Sequence, residues 1–333
     1  MGAAMNLDGY QLLPGLINAH DHLDFNLFPR LGNGRYPNAT AWAEDIYHPE
    51  ESPVREQLRV PKRLRLIWGG LKNLLSGVTT VCHHNPDHPI LHDPDFPVRV
   101  VAKFGWAHSL RFSPDAVERF KATPPDWPFV IHAGEGTDSH AASEIFRLHE
   151  MGALDGRTIL VHGVALEGDG LELARRAGAA VVWCPSSNLF LLGRTLSPEV
   201  LNSGLPIALG SDSALTACGD LLDEIRLARQ LSGLDIRPLV TSNPAAILRV
   251  QPGNDWIAVS EFGQPPDLVR MGERIRLISP ALADQLESRD GFHEIRLEGR
   301  APVLVDMDIP RLYEETAAVL GPQIFLAGRR VLI

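Results

Sequence analysis

Cysteine is nearly absent from this chain: Cys82, Cys184 and Cys218 are the only three in 333 residues, widely spaced and odd in number. That excludes a disulfide framework and points to a reducing, cytoplasmic setting. Positive charge is also short. Lys and Arg number 31 against 41 Asp and Glu, a net charge of −10 with no long basic run. Nucleic acid and anionic membrane are thereby excluded as natural partners. Long apolar runs are missing too, and none reaches the ~18 residues of a membrane span. Met1–Met5 leads into Asn6 and Asp8 without the basic start and apolar stretch of a secretion signal. No Gly-x-Gly-x-x-Gly turn follows the first apolar run, so an open doubly wound sheet lacks its dinucleotide signature. These shortages leave a globular protein of ordinary composition.

What the chain does have is alternation. From residue 12 to about residue 250, short apolar runs alternate with helical patterns. Seven strands are expected: Leu12–Ala19, Gly77–Cys82, Val98–Trp106, Phe129–His132, Thr158–His162, Ala179–Cys184 and Pro206–Gly210. Helical periods cover Val60–Leu75, Ser139–Met151, Glu167–Ala177 and Asp220–Leu231, each stopped at or near a glycine. Such alternation implies a parallel sheet with helical crossovers. Val98–Lys103 and Phe104–Leu110 read as two consecutive strands with almost no helix between them, which would supply an eighth. The expected fold is α/β: a distorted TIM (β/α)8 barrel over residues 12–250. Residues 1–11 and 251–333 form a small β-rich appendage whose N-terminal half is truncated. The exposed sheet edge this leaves favours a homodimer. Residues 23–59 are irregular and proline-rich, and would lie over the barrel mouth as a lid.

In a parallel barrel the chemistry sits at the C-terminal ends of the strands. The first strand ends in His20-Asp21-His22, and alternation turns both histidines to one face, half of a divalent-metal site. The second runs into His83-His84-Asn85. Later strands run into His108, into His132-Ala133-Gly134-Glu135, into His162-Gly163, into Pro185-Ser186-Ser187-Asn188 and into Gly210-Ser211-Asp212-Ser213. Each piece alone has an ordinary reading: a surface pair, a buried hydrogen-bonded histidine, a turn cap. Seven of the thirteen histidines at strand ends make a coherent set. Trp106 and His108, with Trp183 and Phe190, could offer stacking surfaces to a substrate.

These motifs resemble the amidohydrolase superfamily, in its cytosine deaminase, guanine deaminase and chlorohydrolase branch. The likeness runs from about Leu12 to about Ala246 and rests on Pro14–His22, Gly77–Thr80, His132–Glu135, Val161–Gly163, Pro185–Asn188 and Leu209–Ser213. It implies that His20, His22, His132 and Asp212 bind one divalent metal ion, zinc or iron. It also implies that Glu135 shuttles protons, that His162 contacts substrate or hydrolytic water, and that Asn188 borders the substrate pocket. Hydroxide generated on the metal would then displace ammonia from an aminated nitrogen heterocycle, with Asp212 as proton acceptor. The alternatives are a two-metal amide or cyclic-imide hydrolase with Lys103 as the bridging lysine, a dechlorinating or N-dealkylating hydrolase, and a decayed barrel that only binds metal or ligand.

Overall fold

The computed structural model describes residues 5–217, 219–251 and 253–333; Cys218 lies outside them. Eight strands run parallel, in two groups. β2 (Leu16–Asp21), β3 (Val78–His83) and β4 (Arg99–Val100) form one. β5 (Gly105–Ser109), β6 (Phe129–Ala133), β7 (Thr158–His162), β8 (Ala180–Trp183) and β9 (Ile207–Leu209) form the other, in sequence order. Helices fill the connections. α1 (Ala39–Ile46), α2 (Val54–Arg59) and α3 (Lys62–Leu75) lie between β2 and β3. After β5, β6 and β7 come α4 (Ala116–Ala122), α5 (Ser139–Glu150) and α6 (Gly168–Ala177). β8 is followed by α7 (Pro185–Leu192) and α8 (Pro198–Leu201), and β9 by α9 (Leu221–Leu231) and α10 (Ser242–Ile247).

An antiparallel sheet of eight strands completes the molecule. Its order is β1 (Gln11–Pro14), β10 (Trp256–Val259), β11 (Leu268–Met271), β12 (Arg274–Ile278), β14 (Val303–Val305), β13 (His293–Leu297), β16 (Arg329–Leu332) and β15 (Phe325–Leu326). The short α11 (Pro280–Ala283) and the longer α12 (Ile309–Leu320) belong to this part. α12 is tied to α3 by a hydrogen bond from Trp68 Nε1 to Thr316 Oγ1 (2.8 Å).

Several elements differ from the sequence reading, three of them notably. The strand expected over Leu12–Ala19 is divided: Gln11–Pro14 pairs antiparallel with β10, and only Leu16 onward joins the parallel strands. The break falls at Gly15, where a Cβ would lie 2.2 Å from Thr79 Oγ1, so the chain can cross there only without a side chain. Residues 23–59 are not irregular throughout but carry α1 and α2. The third is α12, absent from the sequence reading. Its start carries the signals of a helix, an Asp308 side chain accepting from Arg311 N–H and a proline in the first turn.

Residue parity decides what the parallel strands present. Ile17, Val130, Ile159, Val161, Val182 and Ala208 pack into one inner aliphatic cluster, closed by Ala245 and Leu248 from the end of α10. Their neighbours Leu16, Ile131, Leu160, Val181 and Leu209 face outward into the helix layer, with Leu71, Leu148 and Leu171. Two residues beyond Val130 on the same inner face stands His132.

β2 needs a correction to this alternation. Ala19 is already inward, yet His20 and His22 are inward too. The β2–β3 register slips between Asn18 and Asp21, where three steps on β2 match two on β3. This bulge re-aims the two histidines and leaves Asn18 and Asp21 facing α3.

Candidate metal centre and active site

Four side chains converge at the C-terminal ends of β2, β6 and β9. His132 Nε2 lies 3.3 Å from His20 Nε2 and 3.4 Å from His22 Nε2. Asp212 Oδ1 lies 3.6 Å from His20 Nε2 and 3.8 Å from His22 Nε2. Ligands at about 2.0–2.1 Å from a tetrahedral ion stand about 3.3–3.4 Å from one another, so these edges fit one first-row divalent ion. Three of the donors are shifted toward the form a metal ligand needs. Burial pushes His20 down to about 4, against the pull of Asp212, and holds His132 well below the usual histidine range, helped by its histidine neighbours. His132 Nδ1–H donates to the His108 carbonyl (2.7 Å), which fixes the tautomer and leaves Nε2 as the free lone pair. Burial alone would raise Asp212, but the interactions with His20, His162 and His22 hold it well below the carboxylate range.

Asp212 is positioned from several directions. Its carboxylate accepts from Ser187 Oγ (2.7 Å), Thr216 Oγ1 (3.0 Å) and the Ser213 N–H (2.7 Å). Its backbone sits at φ 51, a left-handed conformation that costs a non-glycine residue about 1–2 kcal/mol. Its N–H donates to the His20 carbonyl (3.1 Å), across the gap between β9 and β2. Two residues earlier, Gly210 has no room for a Cβ, which would lie 2.7 Å from that of His20. Behind this seam lies a buried network that sequence reading missed. Lys72 of α3, 1% exposed, reaches Asp21 Oδ2 (2.9 Å), Ser211 Oγ (3.0 Å) and the Asp212 carbonyl (3.2 Å). Asn18 bonds Ser211 through both ends of its amide, and Asn73 joins Asn18 to Asp21. The first and last parallel strands are thus joined by side chains where no ladder joins them.

Glu135 and His162 form a second pair on the same side. His162 Nδ1–H donates to Asn188 Oδ1 (2.8 Å), so its Nε2 faces Glu135 Oε1 at 3.3 Å as an acceptor. Parity would turn His162 outward after Val161, but a φ of 76 brings it back into the site. Burial, then Asp212 and Glu144, push Glu135 well above the carboxylate range. Glu144 is held beneath it by the Gly134 N–H (2.8 Å). Glu135, its carboxyl held above the usual range, thus lies in hydrogen-bond reach of the His162 imidazole.

His84 is a further histidine gathered here, a residue to which the sequence reading gave no role. It belongs to a group with His20, His22 and His132 whose ring nitrogens all lie within 4.8 Å of one another. Its ring stacks on His132 at 4.5 Å, and its Nε2–H donates to the Ala107 carbonyl (3.0 Å). The signal was its place directly after an apolar strand.

A cavity of about 490 Å³ opens over the centre, lined by His22, His108, His132, Glu135, His162 and Asp212 at its base and by α1 above. Of the residues expected to meet substrate, His108 lines this cavity. Trp106 does not. It packs against the inner aliphatic cluster and the edge of His84. Asn188 also lies off the lining and acts on His162. Lys103, the candidate bridging lysine, is exposed and outside the strands. The lid is anchored to the Glu135 loop: Ala39 N–H donates to the Glu135 carbonyl (2.9 Å), Thr137 N–H to Pro37 (2.8 Å), and Asn38 Nδ2 to Asp138 (2.6 Å).

Comparison with known proteins places these features among hydrolases. The amidohydrolase family model matches residues 97–259. A 5-methylthioadenosine/S-adenosylhomocysteine deaminase of Pyrococcus furiosus is 35% identical over 325 residues, covering 75% of this chain and 73% of that one. The protein of the same name from Haloarcula marismortui is 24% identical over 326 residues, covering 76% and 73%. Among solved structures, an adenosine deaminase from Xanthomonas campestris with bound zinc shares the fold. Its TM-score is 0.66 at 18% identity, covering 94% of this chain and 85% of that one.

Proposed function

The chain belongs to the amidohydrolase family, and from that premise we propose that it is a metal-dependent deaminase of an aminated nitrogen heterocycle. The observation that carries the reading is the quartet of His20, His22, His132 and Asp212 with edges of 3.3–3.8 Å, beside Glu135, whose carboxyl burial pushes well above its usual range. His20, His22, His132 and Asp212 would hold one ion. Zinc is proposed over iron, because nitrogen and carboxylate donors at this spacing suit it and the Xanthomonas neighbour carries it. A divalent ion supplies Lewis acidity and lowers the pKa of a water it binds from ~15.7 to ~7.

The protein's own groups do the rest. Asp212, ionised and turned into the cavity, takes the proton of the attacking water. Glu135 gives its proton to a ring nitrogen, making the adjacent carbon more electrophilic; the water proton held by Asp212 then passes to the departing amine, and the hydroxyl proton of the added water returns to Glu135. His162, with Nδ1–H committed to Asn188, orients water and Glu135 by accepting at Nε2. Ammonia leaves. The two parallel groups are read as one distorted eight-stranded barrel, supported by the Asp212–His20 backbone bond across one gap.

The test is elemental analysis followed by ammonia release from aminopurines and their nucleosides, the compounds suggested by the relatives' names. About one zinc per chain and ammonia release are expected. Glu135→Gln should keep the metal and lose about 10²–10⁴-fold in kcat. A protein that takes up no metal on reconstitution, or a Glu135→Gln variant of undiminished rate, would overturn the mechanism.

A further inference from the structure

We propose that the substrate's heterocycle carries an uncharged, apolar substituent, and that the underside of α1 and its surroundings bind that arm. The inference rests on the deaminase reading and concerns the same cavity. The groups with chemistry to offer lie at its base. The remaining wall is mostly apolar, with Phe25, Trp42, Ile46, Tyr47, Phe112 and Leu215, and its polar members are Glu44, Ser213 and Thr216. An amino heterocycle seated against Glu135 and His162 fills only part of 490 Å³, and what extends from it meets this wall.

Two further observations agree. Tyr47 and Phe112 are 63% and 45% exposed, and both stand at this cavity beside other apolar lining residues. Such exposed apolar area around a concave site is what a ligand's apolar surface would cover. The charge pattern argues against an anionic arm in particular. Among the described lining residues there is no Lys or Arg. Glu44 is the charged member of the wall, and its nearest cation, Arg111, sits 3.5 Å from it at the exposed rim. A carboxylate or phosphate arm would be stripped of water here with no cation to receive it. Apolar burial instead gains about fourfold in affinity per methylene, the ~0.8 kcal/mol of one buried CH₂.

The experiment uses zinc-loaded protein and four matched compounds: adenine itself, and adenine carrying on its imidazole nitrogen a butyl, a carboxypropyl or an aminopropyl arm. Ammonia release gives kcat/KM, and titration calorimetry gives affinity independently of turnover. The butyl compound should exceed adenine and both charged compounds by tenfold or more, in affinity and in kcat/KM. Phe112→Arg should raise the carboxypropyl compound relative to butyl by tenfold or more. Equal affinities for all four, or preference for either charged arm, would overturn the inference. Absence of ammonia from every compound, with butyl still bound most tightly, would instead fault the choice of reaction and leave the apolar wall supported.

Discussion

The two ends of the same parallel strands are built on opposite terms. At one end, Ile17, Val130, Ile159, Val161, Val182 and Ala208 pack against one another and are sealed by Ala245 and Leu248. At the other, a few residues along, His20, His22, His84, His132, His162 and Asp212 are all buried. The aliphatic end stabilises by removing apolar surface from water and asks only that volumes match. The polar end removes ionisable groups from water, which is costly, and offsets this with fixed hydrogen bonds, charge pairing and the capacity to bind an ion. Stability and chemistry are therefore separated along each strand, not between layers.

Lys72 tests that contrast most sharply. Replacing it with methionine leaves Asp21 charged and 0% exposed without its ion partner, and about 3–5 kcal/mol of stability should be lost. Combining Lys72→Met with Asp21→Asn should recover part of the loss in urea unfolding. A neutral single variant would show that the polar end is not held by this pair.

Glu224 probes the same end through pH. It accepts from the Ser186 N–H (3.0 Å) at the start of α7, and burial raises it from 4.5 to about 8. Between those values the folded protein keeps a proton that the unfolded chain has released. Stability should therefore fall as pH rises from about 4.5 to about 8, by up to ~1.4 kcal/mol per pH unit. Glu224→Gln should flatten that slope in unfolding series across the window; an unchanged slope would assign it to other groups. The smallest effect belongs to the aliphatic end. Ile159→Val should cost about 0.5–1.5 kcal/mol and leave kcat per folded molecule unchanged, and a change in kcat would mean that the two ends are not independent.

Much of this was legible in the sequence. His20, His22, His132 and Asp212 stood out because parallel strands bury both faces and read as plain apolar runs, so a polar residue at their ends is conspicuous. The helices Lys62–Leu75, Ser139–Glu150 and Gly168–Ala177 fall within a residue or two of their apolar periods. What escaped has physical reasons. Lys72 and Asn73 sit in the helical run Leu71–Leu74, where polar side chains ordinarily mark the solvent face. The bulge in β2 and the positive φ of His162 are set by neighbouring strands, and local pattern carries no trace of them. Trp106 obeyed its strand's parity but lies too far down the strand to reach the cavity.

The backbone bonds that pin Pro37 and Ala39 to Thr137 and Glu135 carry one more consequence. The segment that shapes the cavity roof and the loop that carries Glu135 are stitched into one piece. Substitutions that reshape the roof for a different molecule will also tug on the acid. Selectivity and turnover in this protein should therefore change together through evolution, inherited as a single trait and seldom retuned one at a time.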